Sequence, residues 1–369
     1  MKSASWKLPS VFKYYFLVIF LSLLPLLKVI FTQDLSHTHD GLMHLARIAA
    51  FFKSFSDGQI PVRWAGDLNY GYGMPLFNFI YHLPYFISSF FIFLGFGLIN
   101  TFKIVLTLSF ILSGIFMFAF SKRFFEDSKK ALLATLFYQF APFRLVEVID
   151  RGSFGEVYAY AFLPLVLFGL VKLFKTKNFY NFFLTSFAAA LLIISHNSIS
   201  LVFFAICTGF IIFFAKEKKQ YFHGFSSLLF GLFISAYYWI PALLEHKYTY
   251  GDLLMKDIYL SHFPPIQNFF IPNLTNLASL KIGAVSVQFG LFHVGAIIFS
   301  LILLFKKKVD KQFKKIAVFS LLLIVISLFF MQPISKHVWA NVSFLRQFQF
   351  SWRLLSVVSF ATAFLSVAF

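Results

Sequence analysis

Cysteine, acidic side chains and long polar stretches are what this 369-residue sequence has least of. Its one cysteine, Cys207, lies inside an apolar run, which excludes an intramolecular disulfide and any cysteine-based zinc or iron–sulfur site. Charged residues make up only 12% of the chain, and acids are outnumbered, 14 against 32 Lys and Arg. Scarce charge combined with 59% hydrophobic residues and a mean hydropathy of +0.80 excludes a soluble domain, because a chain of this length cannot bury that much apolar surface. A multi-spanning, all-α membrane bundle is the expectation. The formal charge of +18 would suggest nucleic acid in a soluble protein. Here the cations fall in short loops between apolar runs, so membrane topology accounts for them and no nucleic-acid partner is expected. The 58 Phe and the preference for Lys fit the bias of an AT-rich genome better than a mechanism.

No internal repeat or low-complexity linker stands out. A helix needs roughly 20 apolar residues to cross a bilayer. That rule predicts about ten spans, near 13–33, 101–120, 131–149, 157–174, 180–195, 199–215, 224–244, 287–305, 316–331 and 351–369. The first has no small-residue cleavage site and reads as a retained span rather than a signal peptide. The last stops inside an apolar run with no polar cap, so a C-terminally truncated chain, with further spans or a domain beyond it, is expected.

The run 76–98 is long enough to span but holds Pro84, Asn78 and His82. Cations decide its reading. If it does not cross, nineteen Lys and Arg fall on the side of the N-terminus and of loops 121–130, 172–178, 216–219 and 306–315, against eleven on the other, Lys281 among them. If it crosses, those counts are exchanged. The positive-inside rule therefore favours a bent or re-entrant, non-spanning segment in the outer leaflet. This gives a cytoplasmic N-terminus in a bacterial inner membrane, and a first extracytoplasmic loop over 34–100. Most of the polar chemistry then shares the extracytoplasmic face.

That loop holds the densest polar stretch, 34–75, with three His, four Asp and two Arg. His37, His39, Asp40 and His44 lie within eight residues of one another. Leu42, Leu45, Ile48, Phe52 and Phe55 then recur at helical spacing and predict an amphipathic helix over 41–56, ended by Gly58. Asp40 is either its N-cap or a catalytic or metal-binding carboxylate. His44, four residues on, either lies on the polar face or works beside Asp40. Three His and one Asp without HExxH-type spacing are a weak metal signal. The continuation PVRWAGDLNYGYGMP, with Arg63 and Asp67 among aromatics, suits either a sugar or headgroup site or interfacial anchoring.

Three further stretches share this face. In 150–162, DRGSFGEVYAYAF, Glu156 starts a span with Arg151 before it; it is a helix-end carboxylate or a partner of Asp40. In SHNS, 195–198, His196 reads first as part of a polar turn. In 343–355, Arg346 and Arg353 run against the positive-inside rule. They either snorkel to the interface or hold a lipid phosphate bidentately.

HDGLMHLARI, PVRWAGDLNYGYGMPLFNFIYHLPY, RGSFGE, SHNS and FQFSWRLL together resemble the bacterial "6-pyruvoyl-tetrahydropterin synthase-related, membrane domain" proteins, over roughly 30–360. Despite that name nothing here resembles a soluble pterin enzyme. The group is similar to the GT-C integral-membrane glycosyltransferases. The resemblance implies transfer of a sugar from a polyprenyl-phosphate-linked donor to a cell-envelope acceptor on the extracytoplasmic face. Asp40 takes the place of the family's catalytic or metal-binding acid in the first outer loop, and Glu156 that of the second acidic motif. His39, His44, Arg63, Asp67, Arg151, His196, Arg346 and Arg353 are the expected substrate-binding residues. The family's first loop also carries a membrane-buried helix, where 76–98 lies. There is no DxD pair, since Asp40 stands between His39 and Gly41, which weakens the case for a metal. A divalent cation, Mg or Mn, would have Asp40 and Glu156 as its ligands. The alternatives are a polytopic lipid or sugar transporter or flippase, disfavoured because the ionisable residues gather at helix ends rather than mid-membrane, and a non-catalytic envelope-assembly protein. Oligomeric state is not legible.

Overall fold

A computed structural model describes residues 11–35, 38–271, 286–306 and 309–368. His37, Lys281 and the cations Lys2, Lys7, Lys307 and Lys308 lie outside them. The described chain is helical, with one isolated β-bridge between Ala65 and Met74.

Among the described residues six helices are long and apolar enough to cross a membrane. They are α1 (Phe12–Phe31), α4 (Leu98–Phe125), α7 (Phe154–Lys175), α9 (Asn197–Phe214), α13 (Lys311–Phe330) and α14 (Ser351–Ala368). Two bent pairs raise the count to eight if each is one span: α5 (Ser128–Gln139) with α6 (Pro142–Arg151), bent by 57°, and α10 (Lys218–Ile234) with α11 (Ala236–Tyr248), bent by 67°. The expected count of ten is therefore not reached by length. At 180–195 and 287–305 the helices are only α8 (Phe179–Ile193) and α12 (Leu291–Leu304), 15 and 14 residues long. The first bend has a local cause, since Pro142 has no amide proton to continue the ladder of α5.

Burial ranks the helices. The apolar window of α7 is 78% buried and that of α14 83%, against 22% for α1, so α7 and α14 form the centre and α1 the rim. α7 is apolar all round, as a helix enclosed by others must be; α4 and α8 pack along it, α10 against α8, and α13 against α14.

The stretch from 41 to 56 is α2 (Gly41–Ser56), and 76–98 breaks into a turn at Leu76–Phe79 and α3 (Leu83–Phe93). At 11 residues α3 is too short to span. α3 packs on α2 and α4, with Phe51 in T-shaped contact with Phe77 and Phe86. The starts of α2, α7, α9 and α14 and the end of α6 meet at one end of the bundle. The lysine-rich turns 121–130, 172–178 and 216–219 lie at the other.

Candidate active site

The second half of α6 and its junction with α7 build the centre of the site. Residues Val146–Arg151 form a wide π-helical turn, a local geometry frequent at functional sites. It sets Glu147 and Arg151 side by side, with Arg151 Nη1 donating to Glu147 Oε1 at 2.6 Å. Gly152 then reverses the chain at φ +61°, and a Cβ there would lie 2.9 Å from Thr38 Oγ1. The close approach lets the first loop lie on this turn: the His39 amide donates to Asp150 O at 3.1 Å and the Asp40 amide to Arg151 O at 3.0 Å. Gly155 serves a second contact, because a Cβ there would stand 2.6 Å from Ser195 O and 2.4 Å from the Tyr81 ring.

Arg151 is the hub. Besides Glu147 it donates to Glu156 Oε1 at 3.0 Å, its Nη2 lies 3.6 Å from Asp40 Oδ2, and it stacks over Trp352 at 5.0 Å. Glu156 Oε1 also accepts from Arg353 Nε at 3.0 Å and lies 3.7 Å from His196 Nε2. Arg353 Nη1 donates to Phe348 O at 2.7 Å, which fixes its fork. A carboxylate at 0% side-chain exposure, as Glu156 is, remains charged only with such partners.

The helix-cap readings separate here. Asp40 occupies the N-cap position of α2 but makes no capping bond; Thr38 Oγ1 accepts from the Gly41 amide instead, and the Asp40 carboxylate faces Arg151. Glu156 likewise faces the arginines. His196 does cap: its Nδ1 accepts from the Ile199 amide at 3.2 Å, which leaves Nε2 toward Glu156. Burial and the two arginines lower its pKa to about 3, the Glu156 charge opposing them, so the ring is neutral at physiological pH. His44 is not on an exposed polar face. It is buried under Phe102 and Phe154 with Nδ1 3.0 Å from the Tyr85 hydroxyl. Burial, then the charges of Arg47 and Arg151, take its pKa to about 3, and burial raises Tyr85 to about 12, so Tyr85 donates to a neutral imidazole.

A cavity of about 430 Å³ opens over these groups, with Asp40, Arg47, Arg151, Glu156, His196 and Arg353 in its lining. With the histidines neutral its charged lining is three cations against two acids, an excess of one positive charge that suits an anion. A second cavity of about 450 Å³ shares Asp40, Arg151 and Phe350 with the first and adds His39, Ser261, His262 and Asn268. Asp40, 27% exposed at its side chain, thus borders both spaces, whereas Glu156 lines only the first and has no side-chain exposure.

Asp40, His44, Arg151, Glu156, His196 and Arg353 come together from four stretches of chain, with His39 at the rim. Arg63, Asp67 and Arg346 do not line either cavity. Arg63 braces the first loop, donating to Asn78 Oδ1 at 2.6 Å and Tyr237 O at 3.0 Å. Asp67 pairs with exposed Lys53 at 2.6 Å. Arg346 ends the short helix Ser343–Arg346. Sequence reasoning did not single out Arg47, Tyr81 or Trp352, and it set Glu147 on the shared face without a role. Only Arg47, one turn after His44 on the same helical face, carried a readable signal.

The expected metal ligands do not suit a divalent cation. The Arg151 guanidinium contacts both Asp40 and Glu156, so a cation bound by both carboxylates would meet its fixed positive charge. Among the described residues no group of three His, Cys, Asp or Glu converges as a metal site.

Residues 77–365 match the family described as "6-pyruvoyl-tetrahydropterin synthase related domain; membrane protein". A relative in Lactococcus lactis subsp. cremoris (strain MG1363), itself described only as an uncharacterized protein, is 24% identical over 249 residues, 64% of this chain and 40% of the relative. Among solved structures the apo crystal structure of the Archaeoglobus fulgidus oligosaccharyltransferase superposes with a TM-score of 0.53 at 14% identity, over 97% of this chain and 51% of that one. At that identity the likeness shows the fold: a multi-pass, GT-C-like membrane bundle. The chain spans about half or less of the length of these two matches.

Proposed function

The chain belongs to the 6-pyruvoyl-tetrahydropterin synthase related membrane protein family, and from that membership, its GT-C-like fold and its paired cavities we propose that it is an integral-membrane glycosyltransferase. The observation that carries the reading is Asp40, the water-accessible carboxylate at the junction of two cavities. Asp40 takes the proton from an acceptor hydroxyl seated in the cavity of Ser261, His262 and Asn268. The acceptor oxygen bonds to the anomeric carbon of the sugar. The bond from that carbon to the donor phosphate oxygen breaks, the phosphate keeps the electron pair, and configuration inverts. Arg353 and Arg47, in the cavity with excess positive charge, offset the phosphate charge. Glu156 positions Arg151 and Arg353 and touches no reacting atom. The charge asymmetry of the loops supports an extracytoplasmic site, where nucleotide sugars are absent and a polyprenyl-phosphate donor fits.

The test is transfer from a labelled polyprenyl-phosphate sugar by the full-length protein in lipid nanodiscs. Asp40→Asn lowers it by about 10²- to 10⁴-fold, the usual worth of a positioned general base. Undiminished transfer removes Asp40 from the reaction, and movement of the lipid-linked sugar across vesicles without chemical change favours a transporter.

A further inference from the structure

The end of the bundle opposite the candidate active site holds the largest of the described cavities, about 590 Å³, between the ends of α4, α7, α9 and α13. Five cations line it, Arg123, Lys175, Lys216, Lys311 and Lys315, against two carboxylates. Both carboxylates already have work: Glu126 pairs with Lys175, and Asp310 caps α13 by accepting from the Phe313 amide at 2.9 Å. A net excess of three positive charges remains in a concave space.

Charge asymmetry across a membrane explains lysines on this side, but it does not explain what they surround. The floor is aromatic. Phe210 packs on Phe214 at 4.7 Å and on Phe124 at 5.7 Å, and Phe124 meets Phe214 edge-on at 5.2 Å. The recess also continues. Lys311 and Lys315 belong as well to an adjoining groove of about 560 Å³, otherwise lined by Ile212, Phe213, Lys314 and Val318, on the faces of α9 and α13. Ile212 and Val318 are exposed apolar side chains on helices long enough to span. Lys315 Nζ donates to Phe213 O at 3.4 Å, at the seam between the two spaces.

We propose that this recess and groove form a binding site for an anionic amphiphile that carries a phosphate. The phosphate sits among Arg123, Lys216, Lys311 and Lys315, and the apolar chain runs along Ile212 and Val318. Guanidinium and ammonium groups above an aromatic floor favour a charged head joined to an apolar body over a fully hydrated ion. The site is remote from Asp40 and does not depend on the glycosyltransferase reading.

Native mass spectrometry of the whole detergent-solubilised chain tests it, with phosphatidylglycerol, phosphatidylcholine and inorganic phosphate as separate probes. Phosphatidylglycerol is retained in preference to phosphatidylcholine. Lys311→Gln with Lys315→Gln weakens that retention about 30-fold, since each lysine near an anionic headgroup is worth roughly fivefold. Lys129→Gln with Lys130→Gln, exposed at the same end but outside the recess, removes the same charge and leaves retention unchanged. Val318→Trp, which fills the groove, weakens the lipid and spares inorganic phosphate. Equal retention of the two lipids, or equal losses in the two lysine pairs, overturns the site. Binding of inorganic phosphate with no effect of Val318→Trp on the lipid overturns the amphiphile.

Discussion

Arg151→Met is the sharpest test of the charge network. Its guanidinium is within 4 Å of three carboxylates, and two of them, Glu147 and Glu156, have no side-chain exposure. Glu156 retains Arg353 when Arg151 is lost. Glu147 keeps no side-chain hydrogen bond among the described residues: its Oε1 is held by Arg151, and its Oε2 is buried without a hydrogen-bond partner. Removing Arg151 leaves a buried carboxyl without its partner, which costs about 1–3 kcal/mol when the carboxyl takes a proton and up to about 3–5 kcal/mol when it stays charged. Methionine fills similar volume, so little of that loss is cavity. The assay is the unfolding midpoint of the detergent-solubilised protein, followed by helical circular dichroism. Glu147→Gln costs less in the Arg151→Met background than in the parent, because the pair is already broken, and a double-mutant cycle reads that difference of about 1–3 kcal/mol as coupling. A loss below about 1 kcal/mol for Arg151→Met, or strictly additive effects of the two changes, would refute the hub.

Other outcomes follow from the same geometry. Folded His44 has a pKa of about 3 and an unfolded histidine about 6.5, so between these values the unfolded chain binds a proton that the folded chain does not. Its contribution to stability is full above about pH 6.5 and falls with pH below it, by up to about 1.4 kcal/mol per pH unit; midpoints measured from pH 7 to 5 decline, and His44→Phe flattens the decline, identical slopes being the contrary result. Gly155→Ala drives a methyl group into Ser195 O and Tyr81, costs about 1–3 kcal/mol and lowers transfer, which an unfolding curve and the transfer assay check together. Asp67→Asn leaves transfer unchanged within error, because its partner Lys53 is a surface lysine remote from both cavities; a large loss would bring Asp67 back to the substrate.

An all-helical membrane bundle was legible because hydrophobicity is local and additive: any window of apolar residues declares a helix in lipid without reference to its neighbours. The polar residues at helix ends were legible for the converse reason, since charge is expensive there and its presence asks for a partner. What a sequence does not carry is which partner. Asp40, Arg63 and Asp67 look alike as acids and bases of one loop, yet the backbone contact of 39–40 on 150–151 takes Asp40 to Arg151, while Arg63 turns to Asn78 and Asp67 to Lys53.

Span number failed to follow from apolar length where Pro142 bends one segment and where α8 and α12 stop short. Composition alone determined that the chain lives in a membrane as helices, because water cannot solvate so much hydrocarbon. Tertiary structure alone decided that Asp40, His196 and Arg353 reach the local cluster of Glu147, Arg151 and Glu156. Ion pairs between residues up to 197 positions apart depend on how helices pack, and packing is a property of surfaces in contact rather than of order along the chain.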